Sequence, residues 1–253
     1  MNKGVVSMFA FFVCFVGAFV FYYQRAKQGA RVHLRRVAGL DAIDEAIGRC
    51  TEMGRPVHYT FGIGELDSAI LASFDVLSHV ARQCALMGTD MIVTNARPEV
   101  HPMTEEIVRA AYMQEGKVDA YKPDNVRYLS SEQTAYAAAI YGIFMREKPA
   151  ANMMIGQFFG ESLMIAEVGN QAGAIQIGGT GRSSQIAFFV ATCDYTLIGD
   201  ELFAAGAYIS RKPFQMGSIF AQDFGKWAAI ILILLGTVAG SFGSKMITNL
   251  LSN

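Results

Sequence analysis

An uncharged run of 20 residues near the amino terminus, residues 4–23 (GVVSMFAFFVCFVGAFVFYY), constrains this chain more than any other feature. As a helix it is long enough to cross the ~30 Å hydrocarbon core of a bilayer. Tyr22 and Tyr23 close the run, as aromatic residues do at a membrane interface. A cleavable signal peptide is the alternative, but its apolar region should be shorter and a small-residue cleavage site should follow it. The run therefore predicts a transmembrane helix at 4–23.

A second apolar run lies near the carboxyl terminus, residues 227–244 (WAAIILILLGTVAGSFGS), between Lys226 and Lys245. Its 18 residues are close to the lower limit for a membrane span, so a buried core helix is the alternative. We interpret it as a second transmembrane helix, and we expect membrane lipid around both helices.

Lys and Arg are concentrated on the side of each apolar run that faces the middle of the chain. The first run is preceded by Lys3 and followed by Arg25, Lys27, Arg31, Arg35 and Arg36. The second is preceded by Arg211, Lys212 and Lys226 and followed by Lys245. Because cytoplasmic flanks carry the excess of Lys and Arg, this pattern places the middle of the chain in the cytoplasm and both termini outside a prokaryotic inner membrane.

Between the two runs, β-rich segments alternate with helix-like segments. The predicted strands lie at 56–62, 89–96, 125–130, 151–158 and 174–179, and the predicted helices at 33–54, 68–88, 102–116, 130–149, 161–173 and 200–210. Residues 185–199 fit a helix or a strand equally well. Such alternation, with strands apolar on both faces, is typical of βαβ crossovers and a mostly parallel sheet. We predict a single three-layer, Rossmann-like α/β domain at 38–212, after a basic juxtamembrane segment at 24–37 and before a connector at 213–226.

Charge and motif content exclude several classes of function. The net charge of −1 leaves no electrostatic footprint for a nucleic-acid partner. Four cysteines are scattered without a CxxC pair, which fits a reducing compartment and predicts no metal site. The sequence contains no GxSxG or HExxH motif. Enzymatic activity is therefore less favoured than a binding or structural role, and no cofactor is assigned.

The segment GIGELD carries Gly62, Gly64 and Glu65 after the first predicted strand. A dinucleotide-binding loop begins in this way, but the sixth position is Asp67 rather than Gly. Two acids would also repel a pyrophosphate at the helix N-terminus. Gly-acid pairs recur at Gly64-Glu65, Gly160-Glu161 and Gly199-Asp200, which favours a structural role in strand-to-helix turns.

A better candidate for anion binding is IQIGGTGRSSQ, in which Gly178, Gly179 and Gly181 free the backbone and Arg182 and Ser183 supply donors. The alternative is a tight turn, with Arg182 pairing an acid at a subunit contact. Separately, Asp194 follows an apolar run and could lie at a strand end in a cleft.

Charge is distributed unevenly along the predicted domain. Residues 31–150 carry 29 charged side chains, whereas residues 151–210 carry six, which are Glu161, Glu167, Arg182, Asp194, Asp200 and Glu201. Such depletion is typical of the core of a subunit interface, so we expect a homo-oligomer. In the second run, Gly236, Gly240 and Ser244 recur every four residues and form a small-residue face suited to helix contact, unless the spacing is a coincidence in a Gly-rich helix.

Two segments, YTFGIGELDSAILASFDVLSHVARQ and GQFFGESLMIAEVGNQAGAIQIGGTG, together with the two terminal runs, resemble an uncharacterised prokaryotic family of membrane proteins, a domain of unknown function. The resemblance covers nearly the whole chain and implies two terminal transmembrane helices. It implies no catalytic residue and no substrate.

Three functions remain open from the sequence. The first is a non-enzymatic, membrane-anchored scaffold whose cytoplasmic domains self-assemble. The second is a domain that binds a nucleotide or an anionic metabolite at the loops 62–65, 156–161 and 178–183, as a sensor or an enzyme. The third is an accessory subunit of a larger membrane complex.

Overall fold

The structure, a computed structural model, describes residues 3–28, 38–210 and 212–241. The chain divides into two compact units. One is Arg35–Ser210, which includes residues 38–210 of the segment 38–212 expected to form the α/β domain. The other combines the terminal segments Met1–Leu34 and Arg211–Asn253.

The unit Arg35–Ser210 is built on a six-stranded sheet in which every strand pairing is parallel. Its strands are β1 (Val57–Thr60), β2 (Met91–Asn95), β3 (Val126–Tyr128), β4 (Ala151–Gly156), β5 (Ile175–Thr180) and β6 (Tyr195–Ile198). The helices of this unit are α2 (Ala38–Met53), α3 (Ser68–Met87), α4 (Val100–Gln114), α5 (Gln133–Glu147), α6 (Glu161–Gln171), α7 (Ser183–Thr192) and α8 (Asp200–Ser210), with 3₁₀ turns at Val118–Ala120 and Pro123–Asn125.

The strand order is β3-β2-β1-β4-β5-β6, which is the order of the Rossmann fold. Helices α2, α3, α4 and α8 pack together on one face of the sheet, and α5, α6 and α7 pack together on the other. The predicted α/β fold with a mainly parallel sheet is confirmed. Because the order reverses between β1 and β4, the loops that follow these two strands meet at the carboxyl edge of the sheet.

The segment that the sequence left ambiguous contains both kinds of element. Helix α7 ends at Thr192 and strand β6 begins at Tyr195. Residues 185–199 therefore show no single hydrophobic periodicity, because they include most of helix α7 and all of strand β6.

Two helices start at other residues than predicted. Helix α5 begins at Gln133 and is capped by the side chain of Glu132, which accepts the N–H of Ala135. Helix α4 begins at Val100, two residues earlier than predicted.

The terminal unit contains helices α1 (Lys3–Lys27) and α9 (Pro213–Ser241). They pack antiparallel, with Gly217 against the backbone of Tyr23 and Gly225 against the ring of Phe15. The ring centroids of Phe19 and Phe214 lie 5.5 Å apart. The absence of a side chain at Gly217 lets the two backbones approach closely, because a Cβ there would lie 3.0 Å from Tyr23 Cα.

The expected boundaries at the carboxyl terminus need correction. The predicted connector 213–226 and the start of the predicted span 227–244 form one continuous helix, α9. Among the described residues, one helix, Pro213–Val238, is long and apolar enough to cross a membrane. The expected span at 4–23 lies in α1, and its crossing of a membrane stays a prediction. Ser244 and most of the basic segment 24–37 lie outside the described residues.

Candidate functional site

The loops after β1 and β4 touch each other backbone to backbone at the carboxyl edge of the sheet. Gly62 has a φ of 78°, and a Cβ there would collide with the carbonyl oxygen of Gln157. A Cβ on Gly156 would collide in the same way with the carbonyl of Phe61. The two glycines are therefore required by close approach of two chain segments, and a bound ligand is not needed to explain them.

Glu161 ties three segments together at this edge. Its side chain is fully buried. Oε1 accepts the N–H of Ile63 at 3.3 Å and that of Phe159 at 3.1 Å, while Oε2 accepts Nε2 of Gln133 at 3.0 Å. The carboxyl group thus satisfies donors from the β1–α3 loop, the β4–α6 loop and the start of α5.

Further contacts lock the same loops. Arg97, in the loop after β2, donates from Nε to the carbonyl of Ile63 at 2.9 Å. Gln157 accepts the N–H of Gly64 at its carbonyl at 3.0 Å and donates from Nε2 to Asp67 at 2.8 Å. Asp67 in turn caps α3 by accepting two backbone N–H groups. We call the segments Gly62–Asp67 and Gln157–Glu161, with Arg97, the carboxyl-edge cluster.

In the carboxyl-edge cluster, the backbone N–H groups that a Rossmann-type site would offer to a ligand are bound by the protein itself. A pyrophosphate needs backbone N–H groups at the start of a helix and space above them. Here the N–H groups of Ile63 and Gly64 are already taken by Glu161 and Gln157, and the side chain of Gln157 fills the space beside Gly64. In this conformation the crevice between β1 and β4 is closed by the protein's own side chains.

Sequence reasoning found Gly62, Gly64 and the loop 156–161, which contains Gln157, but it missed Gln133 and the contacts of Arg97. The recurrent Gly-acid pair was the one signal for Glu161. Glu65, by contrast, lies exposed at the surface of the loop. No local pattern could have identified the partners of Arg97, because the carbonyls that it binds lie more than 30 residues away in the sequence.

The segment IQIGGTGRSSQ, which was expected to offer an anion-binding loop, lies partly inside a strand. Gly178 and Gly179 lie inside strand β5, where a Cβ on Gly178 would lie 2.7 Å from the ring of Phe189. Only Gly181, Arg182 and Ser183 belong to the turn into α7. The guanidinium of Arg182 stacks 4.1 Å from the centroid of the Phe159 ring, which brings this turn beside the carboxyl-edge cluster.

Asp194 lies at the amino end of β6, on the opposite edge of the sheet from the other candidates. Its Oδ2 accepts the N–H of Gln176 at 2.8 Å. It lines an open cavity of about 350 Å³ together with Glu45 and Arg49 of α2. Asp194 therefore lines a cavity at the start of a strand rather than at its end, and this place is separate from the glycine loops.

A buried chain of polar side chains crosses four strands beneath α5 and α6. Gln176 donates to the carbonyl of Ala166 at 2.7 Å, and Asn152 donates to Oε1 of Gln176 at 2.9 Å. His58 then bridges Oδ1 of Asn152 at 2.8 Å and the hydroxyl of Thr94 at 3.1 Å. All four side chains that form this chain are fully buried.

The hydrogen-bond directions assign the protonation state of His58. Because the amide nitrogen of Asn152 donates to Gln176, its oxygen must accept, so Nδ1 of His58 carries the proton and Nε2 accepts from Thr94. Burial lowers the pKa of His58 to about 4, against the smaller opposing effect of the Asn152 hydrogen bond. His58 is thus a neutral structural residue that no substrate can reach in this conformation.

Comparison with known families places the chain among proteins without an assigned function. The family described as Domain of unknown function (DUF6754) matches residues 1–251. The chain belongs to this family. The expected resemblance to an uncharacterised family is thereby confirmed, whereas its membrane location stays a prediction. No curated protein and no solved structure matches the chain.

In this DUF6754 chain the buried thiols are poorly placed to act as nucleophiles or metal ligands. Cys50 and Cys84 are buried, and burial raises the pKa of the Cys50 thiol to about 11. Burial likewise raises the pKa of Cys193 to about 11. Within the described residues, His, Cys, Asp and Glu form no group of three or more that could hold a metal ion. These thiols are protonated at neutral pH and are poor nucleophiles.

Proposed function

We propose that this protein is a membrane-anchored structural protein whose cytoplasmic α/β domains assemble into a homo-oligomer. Helices α1 and α9 anchor it, and the domain Arg35–Ser210 provides the assembling surface. The observation that carries this proposal is the surface of α6 and α7, which is apolar and almost without charge.

Helix α7 contains no charged residue over its ten positions, and of these Gln185 and Phe189 are buried. Val190 is 59% exposed and Phe188 40% exposed. On the neighbouring helix α6, Leu163 and Met164 are also exposed. Exposed apolar side chains on two neighbouring helices favour an interface with another protein surface. The charge depletion of residues 151–210 is thus explained only in part by the central strands β4 and β5.

The membrane part of the proposal is supported by α9. Trp227 is 66% exposed and Ile233 67% exposed, and Ile231, Leu234 and Val238 are exposed as well. Together with the exposed Leu235, these side chains point over more than half of the helix circumference, so one apolar stripe packed on α1 does not account for them. A helical segment that is apolar over most of its circumference, as residues 227–238 are, is stable in hydrocarbon rather than in water.

A ligand-binding function is less well supported by the geometry. At the carboxyl edge, where such sheets bind ligands, the loops close on one another through Glu161 and Gln157. At the amino edge, the cavity beside Asp194 sets Glu45 and Asp194 against Arg49, and this excess of carboxylates disfavours a nucleotide or another anion. In a second cavity at the same edge the cations are already bound, Arg55 by backbone carbonyls and Lys122 by Asp90. We therefore rank this function, and with it an enzymatic role, below the scaffold.

Native mass spectrometry of the full-length protein in mild detergent tests the proposal. We expect one discrete oligomer, and we expect Val190→Lys to shift it towards monomers because a charge would be buried at the contact. Met113→Lys is the matched control: Met113 is 52% exposed on α4, on the charge-rich side of the domain, and its substitution should leave the mass unchanged.

Other outcomes separate the remaining functions. A monomeric wild type, or an oligomer unaffected by Val190→Lys and by Arg182→Glu, would contradict the scaffold with its contact at α7. A different chain that co-purifies at fixed stoichiometry would favour the accessory subunit. A small bound mass that is lost on unfolding would favour the ligand-binding function.

A further inference from the structure

The packing of α1 against α9 sets the depth of each residue of α9 relative to the uncharged run in α1. Tyr23 lies opposite Gly217 and Phe15 lies opposite Gly225, and the helices run antiparallel. Residues 4–23 of α1 therefore lie opposite residues 217–236 of α9. Both stretches are about 20 residues long, which is the length that crosses the hydrocarbon core.

This register places two charged residues within the stretch 217–236 that lies opposite the uncharged run of α1. Asp223 and Lys226 lie near the level of Phe15, and Gln222 lies beside them. The span expected from the sequence began after Lys226, so it kept both charges outside the membrane. If α1 crosses the bilayer as proposed above, the packing brings both charges into it.

Gln222, Asp223 and Lys226, which we call the polar patch, face away from the packed residues of α9. Gly217 and Ala221 are buried, whereas Gln222 is exposed. The side chains of Asp223 and Lys226 are 54% and 53% exposed, with their charged atoms 3.9 Å apart. An exposed pair is unfavourable at this depth, because a charged side chain inside the hydrocarbon core is costly. Such residues therefore usually face the inside of a helix bundle.

The polar patch lies on the same helical face as the small residues of α9. From Gln222, steps of three and four residues lead through Lys226, Ala229 and the exposed Ile233 to Gly236 and Gly240. A Cβ on Gly240 would have no atom within 4 Å, so this part of the face is open among the described residues. A polar patch that continues into a small-residue face is the surface by which membrane helices approach and bond to each other.

We propose that the polar patch is covered by the polar patch of a second copy of this chain, inside the bilayer. The inference rests on the membrane anchoring proposed above and adds a second contact between copies, inside the bilayer, to the one proposed at α7. The charges are self-complementary: in a parallel pair related by a two-fold axis, Asp223 of each copy is ~4.5 Å in height from Lys226 of the other, within reach of the lysine side chain. Each copy supplies one acid and one base to the same contact.

Cysteine crosslinking in membranes tests the contact directly. The full-length protein with Cys14→Ser, which removes the exposed native thiol of α1, would carry Gln222→Cys. We expect crosslinked dimers at least tenfold more abundant than with Phe224→Cys. Phe224 is the matched control because it is also exposed and lies at nearly the same depth on the opposite side of α9. Equal crosslinking at the two positions would overturn the inference.

A charge exchange between copies tests the pairing. Asp223→Lys alone and Lys226→Asp alone should each weaken assembly at least tenfold, because like charges then face each other. When both variants are co-expressed, opposite charges meet again and mixed dimers should form. Assembly that is unchanged in both single variants, or mixed dimers that fail to form, would contradict the inference. Crosslinks from Gln222→Cys to a different protein would contradict it as well.

The two proposals can fail separately. A membrane-impermeant maleimide reports whether Gln222→Cys lies in the bilayer. If the thiol of Gln222→Cys is protected from the maleimide but forms no crosslink, the membrane anchoring stands and the contact between copies at the polar patch is rejected. Full labelling in intact vesicles, with release of the protein by alkaline carbonate, rejects the membrane anchoring itself.

Discussion

At the scale of single residues, Glu161 holds the carboxyl-edge cluster closed. Its carboxyl group is fully buried and accepts the N–H groups of Ile63 and Phe159 and the amide of Gln133. A buried donor that loses its acceptor costs about 1–3 kcal/mol, so the closure of these loops depends strongly on one side chain.

We expect Glu161→Ala to lower the free energy of unfolding by roughly 2–4 kcal/mol, because three donors lose their acceptor. The amides of Ile63 and Phe159 should also exchange hydrogen faster. Thermal unfolding by circular dichroism, in detergent, and hydrogen exchange measure these effects. The control is Glu167→Ala on the exposed face of α6, which should cost less than about 0.5 kcal/mol. Equal effects of the two variants would show that Glu161 does not lock the loops.

The lowered pKa of the buried His58 predicts that the stability of the protein depends on pH. Its folded pKa of about 4 lies below the unfolded value of 6.5. Its contribution is therefore fully present above pH 6.5 and is lost as the pH falls towards 4, at about 1.4 kcal/mol per pH unit for this one group. Urea unfolding of wild type and His58→Gln, measured across this interval, should show a shallower slope for the variant.

The control for this measurement is Thr60→Val, which removes the hydroxyl that bonds Tyr136 but keeps the histidine. This variant should be less stable at every pH and retain the wild-type slope. If wild type and His58→Gln lose stability in parallel between pH 6.5 and 4, His58 is not buried as a neutral ring.

At the scale of elements, the close packing of α7 on β5 depends on Gly178. A Cβ there would lie 2.7 Å from the Phe189 ring and 2.8 Å from Cys193 Sγ. The glycine thus sets the distance between helix and sheet. The neighbouring Gly179 contacts the sheet itself, since a Cβ there would lie 2.9 Å from the side chain of Ile155 on the adjacent strand β4. The glycines that looked like an anion-binding segment act here through packing.

Gly178→Ala should lower the free energy of unfolding by about 1–3 kcal/mol, as overpacking of a core does. Gly181→Ala is the control in the same segment, since a Cβ there would make ordinary contacts at 3.6 Å. It should cost less than about 1 kcal/mol. Chemical denaturation of both variants measures the difference, and a larger effect at Gly181 than at Gly178 would contradict this account.

At the scale of the whole molecule, the α/β unit has cores of its own. Every buried residue of the two hydrophobic clusters lies between Leu40 and Ala205. One cluster lies between the sheet and α2, α3, α4 and α8, and the other beneath α5, α6 and α7. None of these core residues comes from the terminal helices.

A fragment of residues 35–210 should therefore fold without the terminal helices. We expect it to remain in solution without detergent, with a cooperative thermal transition and a helical circular dichroism spectrum. The full-length protein should require detergent for extraction. A fragment that stays unfolded, or a full-length protein that is soluble without detergent, would contradict the division of the chain into a domain and an anchor.

Much of the fold follows from the sequence alone, because it depends on local patterns. Apolar runs of strand length alternate with helical stripes, and glycines such as Gly88 end the helices, so the elements and the parallel sheet could be predicted from β1 to α6. The length and apolar character of residues 4–23 and 227–244 likewise predict helices at both ends. The membership of an uncharacterised family was also recognisable from the sequence.

The candidate site depended on the tertiary structure, because its contacts join residues far apart in the chain. Whether Gly62 faces a ligand or the carbonyl of Gln157 depends on the pairing of β1 with β4, which local sequence does not encode. The same holds for Gly178, which fell inside a strand, and for Asp194, which lies on the opposite edge. Only the packing of α1 on α9 revealed that Asp223 and Lys226 share the level of an uncharged run, since depth is a relation between two helices.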